Sequence, residues 1–201
     1  MPLIKTVACL GYADAKVDDP LYKEAYDVGF ALAKAGFIVA NGGGPGVMRA
    51  TSEGAKAAGG HVVGVTFYPK DVAIFEGRDK NNPIDEEIKS DNYLTRTLKL
   101  LEEGQAYVIF RGGTGTVSEF GMAWGLARLY FGHHKPLILY GKFWENIMAT
   151  FIANMRMRPE EFQVYRVVTS PEEVIKTLEL FELMLSHDDH QFNPAEKAFE
   201  L

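Results

Sequence analysis

The stretch QAYVIFRGGTGT, at residues 105–116, decides the fold. Its first six residues are mostly apolar, which predicts a short strand covered on both faces of a sheet. Glycines follow at once, and a helical pattern then runs from about residue 116 to residue 130. A strand, a glycine-rich turn and a helix in this order form the unit from which parallel sheets are built.

The same unit recurs along the whole chain. Residues 69–89 are predicted to form a long surface loop with room for a short strand. The alternation predicts a single Rossmann-like α/β domain, a parallel sheet flanked by helices on both faces. We expect this domain to span residues 1–185 and a polar tail to follow at 186–201. Further strands are predicted at residues 6–10, 37–40, 61–68, 136–140 and 163–168.

Composition and charge exclude several classes of protein. Of 201 residues, 47 % are hydrophobic and 24 % charged, which is typical of soluble globular chains. Lysine and arginine number 21 against 27 acidic residues, and the net charge of −6 argues against binding a nucleic acid polymer. No apolar run approaches the ~20 residues that cross a bilayer. The single cysteine, Cys9, and the lack of an evident signal peptide favour a cytoplasmic protein without membrane contacts.

Two glycine clusters are predicted to lie at one edge of the sheet, because each follows a strand and precedes a helix. They are NGGGPG at residues 41–46 and RGGTGT at residues 111–116. Glycine lets the main chain approach an anion, and the N-terminus of the following helix adds partial positive charge. The predicted phosphate-binding residues are therefore Gly42, Gly43, Gly44, Gly46, Gly112, Gly113, Thr114, Gly115 and Thr116.

Neither cluster has the spacing of a common nucleotide motif. A dinucleotide fingerprint needs G-x-G-x-x-G after the first strand, where this chain has LGYAD at residues 10–14. A Walker A loop needs lysine and then serine or threonine after its last glycine, and Gly115 is followed by Thr116 and Val117. Dehydrogenases and P-loop NTPases are therefore minor alternatives.

Two charged residues are predicted to reach the edge where the glycines lie. Glu119 follows the second cluster on the helix that the cluster starts, and Arg96 lies near the beginning of the preceding helix. That helix runs antiparallel to the strand after it, so its beginning overlies the carboxyl end of the strand. A carboxylate there can stabilise positive charge on a sugar and activate water. We predict that Arg96 and Glu119 are catalytic; a surface ion pair is the plain alternative for each.

These motifs resemble those of the LOG ("Lonely Guy") family of cytokinin riboside 5′-monophosphate phosphoribohydrolases, formerly labelled lysine decarboxylases. Residues 112–119, GGTGTVSE, resemble the family's P-G-G-x-G-T-x-x-E signature. Residues 42–48, GGGPGVM, resemble its G-G-G-x-G-x-M loop, and YLTRT at residues 93–97 occupies the place of its M-x-x-R-K segment. The resemblance implies a Rossmann-like fold, commonly a homodimer, that releases a free base and ribose 5-phosphate from a nucleoside monophosphate. It also implies catalytic roles for Arg96 and Glu119.

Three positions depart from the family pattern. Arg111 stands where the family has proline, Tyr93 where it has methionine and Thr97 where it has lysine. We expect Gly11, Tyr12, Tyr93 and Arg111 to surround the base and ribose, so these changes bear on which base is released. AMP and a cytokinin-type monophosphate both remain open as the substrate.

No cofactor or metal is predicted, and the expected partner is a small nucleoside monophosphate. Asp14 is a candidate proton donor to the departing base. The alternative function is a nucleotide- or cofactor-binding protein of the same fold without hydrolase activity, as molybdenum cofactor carriers are.

Overall fold

Seven strands and six helices make up most of residues 3–68 and 77–186, the part of the chain described by this computed structural model. They alternate except where β4 follows β3. The strands are β1 (Thr6–Leu10), β2 (Ile38–Asn41), β3 (Val62–Phe67), β4 (Glu86–Ser90), β5 (Ala106–Ile109), β6 (Leu137–Tyr140) and β7 (Tyr165–Val168). The helices are α1 (Pro20–Lys34), α2 (Val47–Ala57), α3 (Tyr93–Glu103), α4 (Thr114–Leu129), α5 (Phe143–Asn154) and α6 (Pro171–Ser186). Residues 69–76 of the predicted loop and 187–201 of the predicted tail lie outside the described residues.

The strands form a parallel sheet in the order β4-β3-β2-β1-β5-β6-β7. This confirms the predicted Rossmann-like α/β fold. The chain winds outward in one direction from β1 to β4 and in the other direction from β5 to β7. In open α/β sheets the ligand binds at such a reversal, outside the carboxyl ends of the two central strands. The topology therefore places the expected site between the ends of β1 and β5.

The sheet separates two apolar cores. Along β1, Val7 and Cys9 pack into one core, and Ala8 and Leu10 pack into the other. Helices α1, α2 and α6 cover the first core, and α3, α4 and α5 cover the second. Burial on both faces explains why the central strands read as continuous apolar runs.

Strand β4 lies within the segment that the sequence predicted as a long loop. It pairs with β3 in regular parallel register from Val63 opposite Glu86 to Phe67 opposite Ser90. Its charged and mostly exposed residues are typical of an edge strand, which has one neighbour and faces solvent. In the same described ranges, no helix combines the length and the apolar character needed to cross a membrane.

Candidate active site

A cleft of ≈ 570 Å³ opens at the carboxyl ends of β1 and β5, at the reversal of strand order. Its walls come from the turn after β1, from α3 and from the start of α4. The predicted site residues that line it are Gly11, Tyr12, Gly42, Tyr93, Arg96, Gly113, Thr114, Gly115, Thr116 and Glu119. The predicted site residues that do not line it, although the structure describes them, are Gly43, Gly44, Gly46, Arg111 and Gly112.

Arg96 and Glu119 meet in the wall of this cleft as a buried ion pair. Nη1 of Arg96 lies 2.5 Å from Oε1 of Glu119, and the two side chains are only 10 % and 8 % exposed. Burial raises the pKa of Glu119, and the guanidinium of Arg96 opposes that rise. Because the pair is buried, its carboxylate acts strongly on any positive charge that develops beside it.

The local sequence places Arg96 in the first turn of α3. Asn92 starts the helix: its side chain accepts a hydrogen bond from the Thr95 N–H at 3.0 Å, and the Thr95 hydroxyl lies 3.3 Å from the Asn92 N–H. This reciprocal cap fixes where the helix begins. Since α3 begins at the carboxyl edge of the sheet and runs antiparallel to β5 toward the amino end of that strand, its first turn reaches the cleft.

Besides its contact with Glu119, the guanidinium of Arg96 is confined by two further residues, Gly42 and Tyr93. A Cβ atom on Gly42 would lie under 3.0 Å from Nη2 of Arg96, so only glycine leaves room for the guanidinium there. The centre of the Tyr93 ring lies 5.7 Å from its Cζ. Gly42 and Tyr93 therefore confine the side chain to the orientation in which it reaches Glu119.

The start of α4 presents main-chain donors to the cleft. Gly113 is the N-cap and offers no capping side chain, and the first helical hydrogen bond runs from the Val117 N–H to the Gly113 carbonyl. The N–H groups of Thr114, Gly115 and Thr116 therefore have no acceptor within residues 3–68 and 77–186. All three residues line the cleft at the positive end of the helix dipole, an arrangement suited to an anion.

The first glycine cluster uses the Gly43 N–H within the protein. The Gly43 N–H donates to Oδ1 of Asn41 at 2.9 Å, and the Val47 N–H, at the start of α2, donates to the Tyr12 carbonyl at 2.9 Å. Gly46 has a φ of 63° and packs directly on the main chain after β1. These glycines serve a tight turn and close packing, and Gly42 is the member of the cluster that reaches the cleft.

Arg111 and Gly112 have structural surroundings outside the cleft. The guanidinium of Arg111 lies 4.5 Å from the centre of the Phe143 ring, and its carbonyl accepts the Tyr12 N–H at 3.0 Å. A Cβ atom on Gly112 would overlap the side chain of Thr116. The Arg111 main chain thus stabilises the turn after β1. Gly112 allows α4 to begin close to β5.

Asp14, the sequence-based candidate for a proton donor, does not line the cleft. Its side chain is 57 % exposed and lies 3.9 Å from Nζ of Lys16. Among the cleft residues in the described ranges, Glu119 is the one that carries a carboxyl group. The described residues also hold no group of three or more His, Cys, Asp or Glu side chains suited to a metal ion.

Sequence reasoning missed the apolar wall of the cleft, which includes Met48, Phe67 and Leu100. The Phe67 ring meets the Tyr93 ring edge-on, with centroids 5.9 Å apart, and the Tyr93 hydroxyl lies 3.2 Å from Oγ of Ser118. Phe67 ends β3 at the same edge as the glycines, so its position along a predicted strand was the signal that pointed to it.

Fold and site together define a class: Rossmann-like α/β proteins with a cleft at the reversal of a parallel sheet, where a helix N-terminus meets a buried Arg–Glu pair. The model of the SLOG cluster4 family matches residues 4–174, and the chain belongs to that family. This confirms the LOG-like resemblance expected from the motifs.

The chain is similar to a Mycobacterium tuberculosis protein named cytokinin riboside 5′-monophosphate phosphoribohydrolase. The two are 34 % identical over 121 residues, which cover 59 % of this chain and 62 % of that protein. Among solved structures, the structural genomics target TM1055 has a TM-score of 0.66 and 26 % identity, over 88 % of this chain and 99 % of its own. The molybdenum cofactor binding protein of Rippkaea orientalis has a TM-score of 0.65 and 22 % identity, over 89 % and 97 %.

Proposed function

We propose that this protein hydrolyses the N-glycosidic bond of a nucleoside 5′-monophosphate, AMP or a cytokinin-type one, to a free base and ribose 5-phosphate. One observation carries the proposal: the buried Arg96–Glu119 pair lines the same cleft as the open N–H groups at the start of α4. An enzyme of this kind needs an anion site for the phosphate and a carboxylate near the sugar. The name of the M. tuberculosis relative supports the same activity.

The substrate is anchored through its 5′-phosphate at the start of α4. The N–H groups of Thr114, Gly115 and Thr116 donate to the phosphate, and the two threonine hydroxyls are further donors. Anchoring at one end holds the ribose beside Glu119 and turns the reaction with this carboxylate into an intramolecular one.

Bond cleavage builds positive charge on C1′ of the ribose as the electron pair of the C1′–N bond leaves with the base. The carboxylate of Glu119 stabilises that charge and accepts a proton from the water that attacks C1′. The hydroxide ends on C1′ and the proton on the base, so water is the only co-reactant. A carboxyl group whose pKa is raised by burial is suited to carry this proton from water to the base. Arg96 orients the carboxylate throughout.

The test incubates the purified protein with AMP and with the other nucleoside 5′-monophosphates and measures free base and ribose 5-phosphate. Adenosine is the matched control, because it has the same glycosidic bond without the phosphate. We expect base release from at least one monophosphate and at least ~100-fold less from the nucleoside, since the anchor is lost. Equal rates with and without the phosphate would contradict the anchoring role of α4.

A non-catalytic nucleotide- or cofactor-binding protein is the second candidate. It is favoured by the likeness in fold to the molybdenum cofactor binding protein of R. orientalis. The Arg96–Glu119 pair argues against it, because removing two charges from water is costly and binding alone does not require a buried carboxylate beside an anion site. A melting temperature that rises with AMP, without any product after prolonged incubation, would favour the binding protein.

The proposal includes a homodimer, as the resemblance implies. On α4, Val117 and Leu129 are 58 % and 62 % exposed. Gly121 and Gly125 lie on the same helix, and a Cβ atom added to either glycine would point into open space. An exposed apolar helix face of this kind suits contact with a second copy. Sedimentation should give a dimer for the wild type and a shift toward monomer for Val117→Glu; a monomeric wild type would contradict this part of the proposal.

A further inference from the structure

Asn82 is a buried polar residue outside the cleft that reaches the first glycine cluster. It lies in the segment before β4 and is only 1 % exposed. Its Nδ2 donates to the Gly44 carbonyl at 2.8 Å and lies 3.5 Å from Oδ1 of Asn41. Both partners are acceptors, so the carboxamide is fixed with its nitrogen toward the cluster.

A second contact ties the same segment to the same cluster. The Asp79 N–H donates to the Gly43 carbonyl at 3.0 Å, and the Asp79 carboxylate lies 3.7 Å from Nη1 of Arg49 on α2. From the other side, Oδ1 of Asn41 accepts the Gly43 N–H at 2.9 Å. The glycine cluster is therefore held between the end of β2 and two residues, Asp79 and Asn82, which we call the brace.

The braced cluster forms the surface against which Arg96 rests. A Cβ atom on Gly42 would lie under 3.0 Å from Nη2 of Arg96, so the backbone of Gly42 touches the guanidinium without a gap. On its other side the guanidinium pairs with Glu119. A shift of the cluster by a fraction of an ångström is therefore passed directly to the pair.

We infer that Asn82 is a positioning residue: it fixes the first glycine cluster so that Arg96 and Glu119 stay aligned in the cleft. The effect that we expect on kcat rests on the proposed function. The effect that we expect on the position of Arg96 does not. Asn82 contributes through Gly42 and touches neither the cleft nor the pair.

Asn82→Asp is the sharpest test, because it keeps the shape of the side chain and replaces the donating nitrogen by an acceptor that faces the Gly44 carbonyl. Asn81→Asp is the matched control, with the same change one residue earlier at an exposed position. Asn82→Ala removes the donor without adding repulsion and serves in place of Asn82→Asp if that variant does not fold.

The first readout separates kcat from KM for the monophosphate that the wild type cleaves. We expect Asn82→Asp to lower kcat by about 10- to 100-fold, the effect of a small misplacement of catalytic groups, and to change KM less than about 3-fold. The phosphate anchor on α4 is untouched, which explains the small change in KM. Asn81→Asp should match the wild type. A lower melting temperature with an unchanged kcat would make Asn82 merely structural and overturn the inference.

The second readout does not depend on activity. The ¹H–¹⁵N resonance of the Arg96 Nε–H should shift in Asn82→Asp, and the amide of Gly43 should exchange faster with solvent. Neither signal should change in Asn81→Asp. Unchanged Arg96 and glycine signals in Asn82→Asp would overturn the inference. Failure of the wild type to release any base would instead overturn the proposed function, while this readout still decides on Asn82.

Discussion

At the scale of single residues, Glu119 is subject to two opposing effects. Burial raises the pKa of its carboxyl group, and Arg96 lowers it. A buried ion pair is weak evidence for stability, because its desolvation cost is close to its Coulombic gain. The proposed chemistry explains the buried pair better than a contribution to stability does. A desolvated carboxylate stabilises a neighbouring cation far better than a solvated one.

The pH dependence of base release follows from this environment. The carboxylate form of Glu119 is the active one, so activity should fall as the pH drops through its pKa. Because burial raises that pKa in the free protein, the acid limb of kcat/KM should lie above the ordinary glutamate value of about 4.3. Glu119→Gln should lower kcat by at least ~10²-fold. A pH–rate profile of the wild type measures the first effect, and an unchanged kcat in Glu119→Gln would remove this residue from the mechanism.

Gly42→Ala should inactivate the protein without unfolding it. The added methyl group overlaps Nη2 of Arg96, the mobile end of a long side chain, so the guanidinium moves away from Glu119 and the fold adjusts. We expect kcat to fall by about 10²-fold, as for other small misplacements of catalytic groups. Asn146→Ala is the control, because Asn146 is exposed on α5 and does not line the cleft. Equal kcat values in the two variants would show that Gly42 does not confine Arg96.

The contact between Arg96 and Glu119 was predictable from the sequence, because the direction of α3 relative to β5 follows from the βαβ order. The sequence did not predict that some of these glycines serve turns and close packing while others open the N-terminus of α4. Gly46 is needed for a positive φ and for packing on the main chain after β1, whereas Gly113 opens the N-terminus of α4. Sequence shows a glycine in both places and does not show which requirement it meets. The catalytic and binding roles themselves stay predictions.

At the scale of elements, α1 and α2 cross with their main chains in contact. A Cβ atom on Gly29 would overlap the Thr51 carbonyl, and a Cβ atom on Gly54 would overlap the Tyr26 carbonyl. Backbone atoms cannot move aside as the end of a side chain can. This close crossing seats α2, and with it the first glycine cluster, on the sheet.

Gly54→Ala should therefore lower the free energy of unfolding by about 1–3 kcal/mol, the typical range for overpacking. Asn146→Ala is the control, since Asn146 is exposed on α5. It should be neutral or stabilise by up to about 1 kcal/mol, because alanine is the better helix former. Urea denaturation at one protein concentration measures both. A similar free energy of unfolding for the two variants would contradict the close crossing.

Most elements were predictable because their patterns are local, and two details were not. Helix α4 begins at Thr114, two residues earlier than its apolar pattern indicates, and so Glu119 lies in its second turn. Threonine and glycine are poor helix formers, so a helix that begins with them is difficult to recognise in a sequence. They are nevertheless suited to a first turn whose N–H groups bind an anion. Strand β4 lies where the sequence left room for a short strand. Its bounds could not be predicted, because its charged composition reflects its position at the sheet edge.

At the scale of the whole molecule, the order of strands decides where the cleft lies. The alternation of strands and helices predicts a parallel sheet, but the pairing of β1 with β5 depends on contacts between distant segments. That pairing creates the point at which the strand order reverses. The turn after β1, the start of α3 and the start of α4 meet at this point. The location of the site at a strand end was predictable, and its enclosure by Phe67 and Leu100 was not.

Stability in acid should be limited by His134, which is buried between α4 and β6. Its ring stacks on Phe131 with centroids 5.6 Å apart, and neither ring nitrogen has a hydrogen-bond partner in the described part of the chain. Burial, with Arg166 and His133 nearby, lowers the pKa of His134 to about 4. The unfolded chain therefore binds the proton more tightly, and stability that is present above pH ~6.5 is lost between there and about pH 4.

The loss is of order 3 kcal/mol for the full shift. His134→Phe keeps an aromatic ring in the same apolar surroundings and has no group to protonate. Its free energy of unfolding should vary less between pH 7 and pH 4 than that of the wild type, as measured by urea titration at each pH. An identical pH dependence in the variant would exclude His134 as the cause.

The most direct test of the central claim is the fate of AMP incubated with the wild-type protein in H₂¹⁸O and followed by mass spectrometry. The claim predicts unlabelled adenine and ribose 5-phosphate that carries one ¹⁸O on C1 when quenched before solvent exchange, with the phosphate ester intact. Recovery of AMP unchanged, with a cytokinin riboside 5′-monophosphate also left unchanged in the same assay, or release of inorganic phosphate in place of a free base, would contradict it.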